Sequence, residues 1–295
     1  MTGEHESDEL TPHIYGAGEL GVLSLTAPGA AHPRVEFAGG DVFVGLDQIG
    51  DDGAAVTQGQ AEAWSHPFGE VLATTVGASS PLPEPVDGVI LIQDEAQAAG
   101  VLLDPLRAAG RGLVGDVVLF VLARQHVALV GADDESGLAR VLDLAEQLYE
   151  AGGRLVTAHP LMLVDGAWAR FPWRERAHSL ELRFERVLRL FGVRAYEAQG
   201  IVLQRPDVHI ADPKIQVLET GVTVTFAAWP KGTATLLPVV DNIIIADPHG
   251  GADGAASLSV ATLNQFLDAA GDAVVRTGLS PARYFVPGAP PQPAR

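Results

Sequence analysis

Cysteine is absent from the 295-residue chain. The protein can therefore form neither a disulfide nor a thiolate metal site, and a cysteine nucleophile is excluded. Long apolar runs are also missing, since no segment approaches the roughly 18 uninterrupted apolar residues typical of a membrane-spanning helix. The first ten residues, MTGEHESDEL, have neither a basic start nor an apolar stretch, so they predict no signal peptide. The lack of a predicted signal peptide and of a predicted membrane span favours a cytoplasmic protein.

Basic side chains are scarce. The chain has 19 Lys and Arg residues against 37 Asp and Glu residues, which gives a formal net charge of −18. Nucleic acids and anionic lipids are bound through basic residues that neutralise phosphates, so the composition predicts neither a nucleic-acid partner nor a membrane partner. We expect any protein partner to be basic, because opposite charges speed the encounter.

Short catalytic and cofactor-binding motifs are not found in the expected contexts. No Gly-x-Gly-x-x-Gly is predicted to open a helix after a strand, and no phosphate-binding loop ends in Gly-Lys-Ser/Thr. Neither Gly-x-Ser-x-Gly nor His-Glu-x-x-His occurs, and the nine histidines are scattered. We therefore expect no cofactor and identify no catalytic residue.

What is present is a packed globular sequence, 47% hydrophobic, in which strand and helix patterns alternate. These patterns predict an α+β fold of two similar modules, each a mainly antiparallel sheet packed with an amphipathic helix, joined by a long helix. The predicted segments are a flexible acidic tail at 1–18, an N-terminal module at 19–172, a connecting helix at 173–199, a C-terminal module at 200–288 and a proline-rich tail at 289–295.

The two modules are predicted from an internal similarity of pattern. The stretch VVLFVLARQHVALVGADDES is followed by a helix and HPLMLVDGA, and ATLLPVVDNIIIADPHGGADG is followed by a helix and ARYFVPGA. Both read as strand, polar turn, strand, acidic loop, helix and final strand. In the second copy the predicted helix is SLSVATLNQFLDAAGDAV, and the helix that connects the modules is predicted over Glu175 to Gly192.

The acidic segment DNIIIADPHGGADG is the first candidate site. Asp247, His249 and Asp253 are possible metal ligands, whereas Asp241 lies about 20 Å away along an extended strand. The corresponding loop in the first copy, GADDES, has no histidine, and Asp and Gly are favoured before helices because they cap amide groups and permit tight turns. We therefore interpret the segment as a connector to a helix and predict no metal.

Two further groups are candidates for partner binding. The acidic loop Asp133, Asp134 and Glu135 precedes a helix, with Ser136 predicted as its N-cap. Trp168 and Trp173 follow one strand turn and are predicted either as core residues or as the edge of a groove.

The segment from about Val117 to Phe171 resembles the YtpQ-like family of bacterial proteins of unknown function. The stretches that carry the resemblance are VLARQHVALVGADDESGLARVLDLAEQLYE and HPLMLVDGAWARF, and later TLLPVVDNIIIADP and ARYFV. The resemblance implies the same α+β repeat and no particular reaction. Two functions remain open: a non-enzymatic cytoplasmic protein-binding protein (adaptor, chaperone or immunity-like) with an acidic surface, or an enzyme or small-molecule binder using a cleft between the modules.

Overall fold

The computed structural model describes residues 10–49, 53–77, 80–251 and 254–288. The chain divides into two compact units, residues 1–191 and residues 192–295. The division falls inside the helix that was predicted to connect the modules. Within the described residues, no helix is both long enough and apolar enough to cross a bilayer.

The N-terminal unit combines two antiparallel sheets with helices. Its elements, in chain order, are β1 (Leu10–Gly16), α1 (Ala17–Thr26), β2 (Val35–Gly39), β3 (Val42–Gln48), α2 (Gln58–Glu62), α3 (Phe68–Gly77), β4 (Val89–Ile92), α4 (Glu95–Leu103), β5 (Val117–Ala123), β6 (His126–Gly131), α5 (Glu135–Glu150), β7 (Leu161–Val164), β8 (Ala167–Arg170), α6 (Trp173–Arg176) and the beginning of α7 (Glu181–Leu203). The sheet orders are β1-β3-β2 and β4-β6-β5-β7-β8.

Local sequence explains several of these elements. The β7–β8 turn is Asp165-Gly166, and both residues have positive φ, as a tight hairpin turn requires. The Arg124-Gln125 turn joins β5 to β6 as predicted. Helix α5 ends before Gly152, whose φ of 73° lies in the left-handed region. Its N-cap is Asp134 and not the predicted Ser136, because the Asp134 carboxylate accepts the Gly137 amide at 2.8 Å.

The predicted flexible tail at 1–18 is wrong for its last nine residues. Strand β1 pairs with β3 from Leu10↔Gln48 to Gly16↔Val42, and α1 begins at Ala17. Ile14 is fully buried with Val42, Val44 and Leu46 in the core of the unit. The short stretch HIYG follows an acidic segment, and it was therefore predicted as part of the tail. Residues 1–9 and the proline-rich tail at 289–295 lie outside the described residues.

The C-terminal unit contains two four-stranded sheets. Its elements are the rest of α7, β9 (His209–Ile210), β10 (Lys214–Val217), β11 (Thr223–Pro230), β12 (Thr235–Pro238), β13 (Asn242–Asp247), β14 (Ser257–Thr262), α8 (Leu263–Ala270), β15 (Val275–Arg276) and β16 (Arg283–Val286). The sheet orders are β10-β11-β13-β14 and β15-β16-β12-β9. Only the β11–β13 and β12–β9 pairs among these described strands are parallel.

The α+β class is confirmed, but the two copies of the predicted repeat pair their strands differently. In the first, β5 and β6 form a hairpin within one sheet. In the second, the corresponding β12 and β13 lie in different sheets, and β13 pairs instead with β11 and β14. The two copies therefore share the order of their elements but not the pairing of their strands.

Two predicted helices have different bounds. The helix expected over Glu175 to Gly192 is interrupted at Ala177, and its long part is α7, Glu181–Leu203. The helix expected from Ser257 begins only at Leu263, and the six residues before it form β14. Thr262 sets this boundary through a capping box, since its hydroxyl accepts the Gln265 amide and the Gln265 side chain accepts the Thr262 amide.

Candidate functional site

The C-terminal unit contains a cavity of about 600 Å³. Its walls come from β11, β13, β14, α8 and the end of β16. The indole of Trp229 and the ring of Phe266 meet edge to face with centroids 5.2 Å apart. The Trp229 Nε1 donates to the Thr233 carbonyl at 3.2 Å, so the polar end of the indole is satisfied away from the apolar wall.

Small side chains explain why this space is left open. Ala261, Ala269, Ala270 and Ala273 all line the cavity. Larger residues at these positions would extend into the volume that the alanines leave, and closely packed interiors rarely keep such gaps. Most of the remaining wall is aliphatic or aromatic, so the cavity offers an apolar surface.

The rim of the cavity is polar and includes Asp247, Pro248 and His249 of the acidic segment singled out in the sequence. Lys231 Nζ lies 2.6 Å from Asp247 Oδ2, and the His249 amide donates to Asp247 Oδ1 at 3.0 Å. The hydrogen bond from Lys231 is the main reason that the pKa of Asp247 lies below its usual value. Asp247 is thus paired as a carboxylate at the mouth of the cavity.

The metal candidates are not brought together by the described part of the structure. Asp253 lies outside the described residues, and Asp247 is occupied by Lys231 and its own turn. Asp241, at the other end of β13, accepts hydrogen bonds at 2.7 Å from both the amide and the hydroxyl of Thr225. Among the described residues, no three histidine, aspartate or glutamate side chains are placed to hold a metal ion.

The acidic loop before α5 is held by local hydrogen bonds. Asp134 caps the helix, and its pKa is lowered first by the bond from the Gly137 amide. Asp133 and Asp116 both bind Arg176, at 3.0 and 3.2 Å. Glu135 is exposed. Asp134 therefore caps the helix, whereas Asp133 and Glu135 lie on the surface.

Trp168 and Trp173 belong to the core and do not edge a groove. Trp168 is 8% exposed, and its Nε1 donates to the Val101 carbonyl at 3.1 Å. Trp173 is 7% exposed and stacks on Phe184 with ring centroids 5.2 Å apart. Side chains this buried offer little surface to a partner, so the core alternative of the sequence prediction is the correct one.

A polar cluster in the N-terminal unit was missed because β1 was predicted as a tail. His13 Nδ1 lies 2.6 Å from Asp47 Oδ2, and the Tyr15 hydroxyl donates to Asp47 Oδ1 at 3.2 Å. Burial, followed by the charge of Asp47, raises the pKa of Tyr15, so the phenol remains a hydrogen-bond donor. His13, Tyr15 and Asp47 are all buried, which leaves little surface for a substrate to reach.

A second missed feature is a Gly-x-Gly-x-x-Gly spacing at Gly16, Gly18 and Gly21, where β1 passes into α1. A dinucleotide site with this spacing requires a parallel βαβ unit and a free helix N-terminus. Here β1 pairs antiparallel with β3, the Ala17 amide donates to the Asp41 carbonyl, and Glu19 lies in the first turn. The glycine at 16 instead permits close packing, because a Cβ there would lie 2.6 Å from the Val156 carbonyl oxygen.

Comparison of the chain with family models, curated proteins and solved structures found no match. The resemblance to the YtpQ-like family therefore stays a prediction.

Proposed function

We propose that the protein is a cytoplasmic, non-enzymatic binding protein whose C-terminal unit takes up a small apolar molecule in the cavity between α8 and the β10-β11-β13-β14 sheet. The observation that carries the proposal is the cavity itself. Its volume of about 600 Å³ lies within the range of roughly 300–1,000 Å³ that small-molecule sites occupy. Its apolar wall with a few polar groups at the rim is the usual composition of such sites.

The rim indicates the kind of ligand. Lys231, Gln265 and His249 lie at the cavity and offer polar contacts, whereas Trp229, Phe266 and Ile245 line its apolar part. A ligand with an apolar body and one polar or anionic end would place the body against Trp229 and Phe266. Its end would lie near Lys231, in competition with Asp247.

The test uses anilinonaphthalene sulfonate, a probe with an apolar body and an anionic group, whose fluorescence rises in apolar surroundings. Ala273→Phe fills part of the cavity, so less of the apolar body of the probe can be buried there. Because each methylene that is no longer buried costs about 0.8 kcal/mol, probe binding should weaken at least about tenfold. Ala198→Phe, on an exposed position of α7, is the matched control and should bind as the wild type does.

A second pair of measurements separates the apolar and polar contributions. Lys231→Met should weaken binding of the anionic probe more than binding of a neutral apolar dye. The proposal is wrong if the Ala273 and Ala198 variants bind the probe equally, because the probe would then be bound elsewhere.

The distribution of charge favours a second function, the binding of a basic protein. Of the 19 basic and 37 acidic side chains, 12 and 28 lie in residues 1–191, a formal charge of −16. The remaining 7 and 9 lie in residues 192–295, a formal charge of −2. A strongly acidic unit attracts basic surfaces and speeds association with them.

An oligolysine peptide provides a defined probe for this function. Asp133→Asn with Glu135→Gln should weaken its binding at low salt, whereas Asp268→Asn with Asp272→Asn, in the nearly neutral unit, should not. Equal effects of the two double variants would show that net charge alone, and not the acidic loop, attracts the peptide.

A further inference from the structure

Strand β14 leaves one of its edges open. It lies last in the order β10-β11-β13-β14 and pairs with β13 from Asn242↔Thr262 to Asp247↔Ser257. On its other side no described strand follows. Leu258 is 75% exposed and Val260 is 68% exposed, so the outer face of this strand is open to solvent among the described residues.

The other edge strands of the C-terminal unit are protected against pairing, and β14 is not. The opposite edge, β10, has four residues and begins with Lys214. In the second sheet the edges β9 and β15 have two residues each. Short length and charge are the common means by which proteins prevent edge strands from pairing. By contrast, β14 has six residues, and the sequence from Gly254 to Leu267 contains no charged side chain.

The outer face of the sheet continues the apolar surface of β14. Cross-strand neighbours lie on the same face. Val260 is paired with Ile244 and Leu258 with Ala246 on β13, and Ile244 is paired with Ala228 on β11. Leu258 and Val260 thus lie at the border of a larger apolar sheet face.

Charge argues for a second copy of this chain as the occupant. An uncharged strand offers nothing to attract a basic partner, although the chain as a whole is acidic. The C-terminal unit has a formal charge of only −2, so two copies of it meet with little repulsion. A two-fold contact must also be self-complementary. Antiparallel pairing centred on Ser259 meets this condition, since it places Leu258 of each copy opposite Val260 of the other.

We propose that β14 pairs antiparallel with β14 of a second copy around a two-fold axis at Ser259, so that the two four-stranded sheets join into one sheet of eight strands. The contact is small and is expected to give a weak, concentration-dependent dimer. It does not depend on the cavity, and probe binding and self-association are measured separately.

Sedimentation velocity over a range of protein concentrations tests the proposal. The wild type should shift from monomer to dimer as concentration rises. Val260→Lys and Leu258→Lys, each at a side chain already exposed to water, should raise the dissociation constant at least about tenfold, because edge lysines oppose strand pairing. Ile201→Lys, at an exposed apolar position of α7, is the matched control and should dimerise as the wild type does.

The absence of cysteine permits a sharper test. Directly opposite residues in antiparallel strands have Cα atoms about 4.5–5.5 Å apart, which suits a disulfide. Under mild oxidation Ser259→Cys should therefore form a covalent dimer, and Ile201→Cys should not. Added salt should strengthen the dimer, since it screens the acidic N-terminal units.

The proposal is overturned if the wild type remains monomeric at all concentrations. It is also overturned if the Leu258 and Val260 variants dimerise unchanged, or if the Ser259→Cys variant cross-links no faster than the Ile201→Cys variant. A Val260 variant that fails to fold would be recognised by circular dichroism, and the Leu258 and Ser259 variants then decide the result.

Discussion

Arg283 is a buried charged residue of the C-terminal unit. It is 0% exposed, and burial lowers its pKa. Its guanidinium donates to the Gln199 side chain at 2.6 Å and to the carbonyls of Ala211, Leu236 and Tyr196 at 2.8, 3.2 and 3.1 Å. Within the C-terminal unit, these bonds tie the end of α7 to β12 and β16.

Replacing Arg283 by methionine should destabilise the C-terminal unit by at least about 2 kcal/mol, because several buried acceptors lose their donor at once. Arg276→Met, at an exposed position of β15, should change the free energy of unfolding by less than about 0.5 kcal/mol. Denaturant unfolding followed by Trp229 fluorescence, in a background without the other tryptophans, measures both. Equal effects would contradict a special role for the buried guanidinium.

Asp134 gives a prediction about pH. Its pKa is lowered in the folded protein, so its contribution to stability is present above the unfolded-state pKa and is lost as pH falls through the folded-state pKa. Asp134→Ala should therefore cost about 1 kcal/mol at neutral pH and less in acid, as the carboxylate is protonated. Thermal or denaturant unfolding, measured from neutral pH into acid, tests this prediction, with Glu135→Ala as the control. A cost for Asp134→Ala that does not fall with pH would contradict the capping role.

At the scale of elements, the part of α7 that belongs to the N-terminal unit, residues 181–191, is held there by two kinds of contact. Phe184 is buried, stacks on Trp173 and lies 6.1 Å from the ring of Phe120 on β5. Arg183 and Arg186 of the same helix reach Asp143 and Glu146 on α5. The arginines therefore pair with acids of a neighbouring helix.

Packing should outweigh these ion pairs. Phe184→Ala should destabilise the protein by about 3–5 kcal/mol, the usual cost of a large cavity in a core. Arg183→Gln with Arg186→Gln should cost less than about 2 kcal/mol, since partly exposed ion pairs contribute about 0–1 kcal/mol each. Leu182→Ala, at an exposed position of α7, is the control. If the arginine variant unfolds more easily than the Phe184 variant, the helix is held by charge.

At the scale of the whole molecule, the uneven division of charge has consequences for stability. The N-terminal unit has a formal charge of −16 and the C-terminal unit −2. Excess charge of one sign destabilises a compact state through self-repulsion, and salt screens it. The two units should therefore respond differently to ionic strength.

Hydrogen exchange followed by mass spectrometry can resolve the two units. Raising the sodium chloride concentration from a few millimolar should increase the protection of β5, β6 and α5 more than that of β11, β13 and α8. Sucrose, an uncharged stabiliser, is the control and should protect both units. Equal protection of both units by salt would contradict the electrostatic explanation.

Short-range signals were sufficient for the elements whose structure is decided by neighbours in sequence. The Asp165-Gly166 turn, the spacing of Leu138, Val141 and Leu142 on α5, and the absence of cysteine could all be read directly. The composition gives the excess of acidic side chains directly, and the strand and helix patterns predicted the α+β class. In each case the physical cause lies within a few residues or in a count.

Contacts between distant residues decided the rest. Whether SLSVAT extends a helix or forms a strand depends on its pairing with β13, and whether residues 10–16 are a tail or a strand depends on β3. From the sequence alone, Arg283 would be expected on the surface. In the fold it is buried among four acceptors that lie up to 87 positions away in the chain. The cavity exists because four alanines meet beside Trp229 and Phe266, and only the tertiary structure brings them together, since small side chains leave a space only where larger elements frame it.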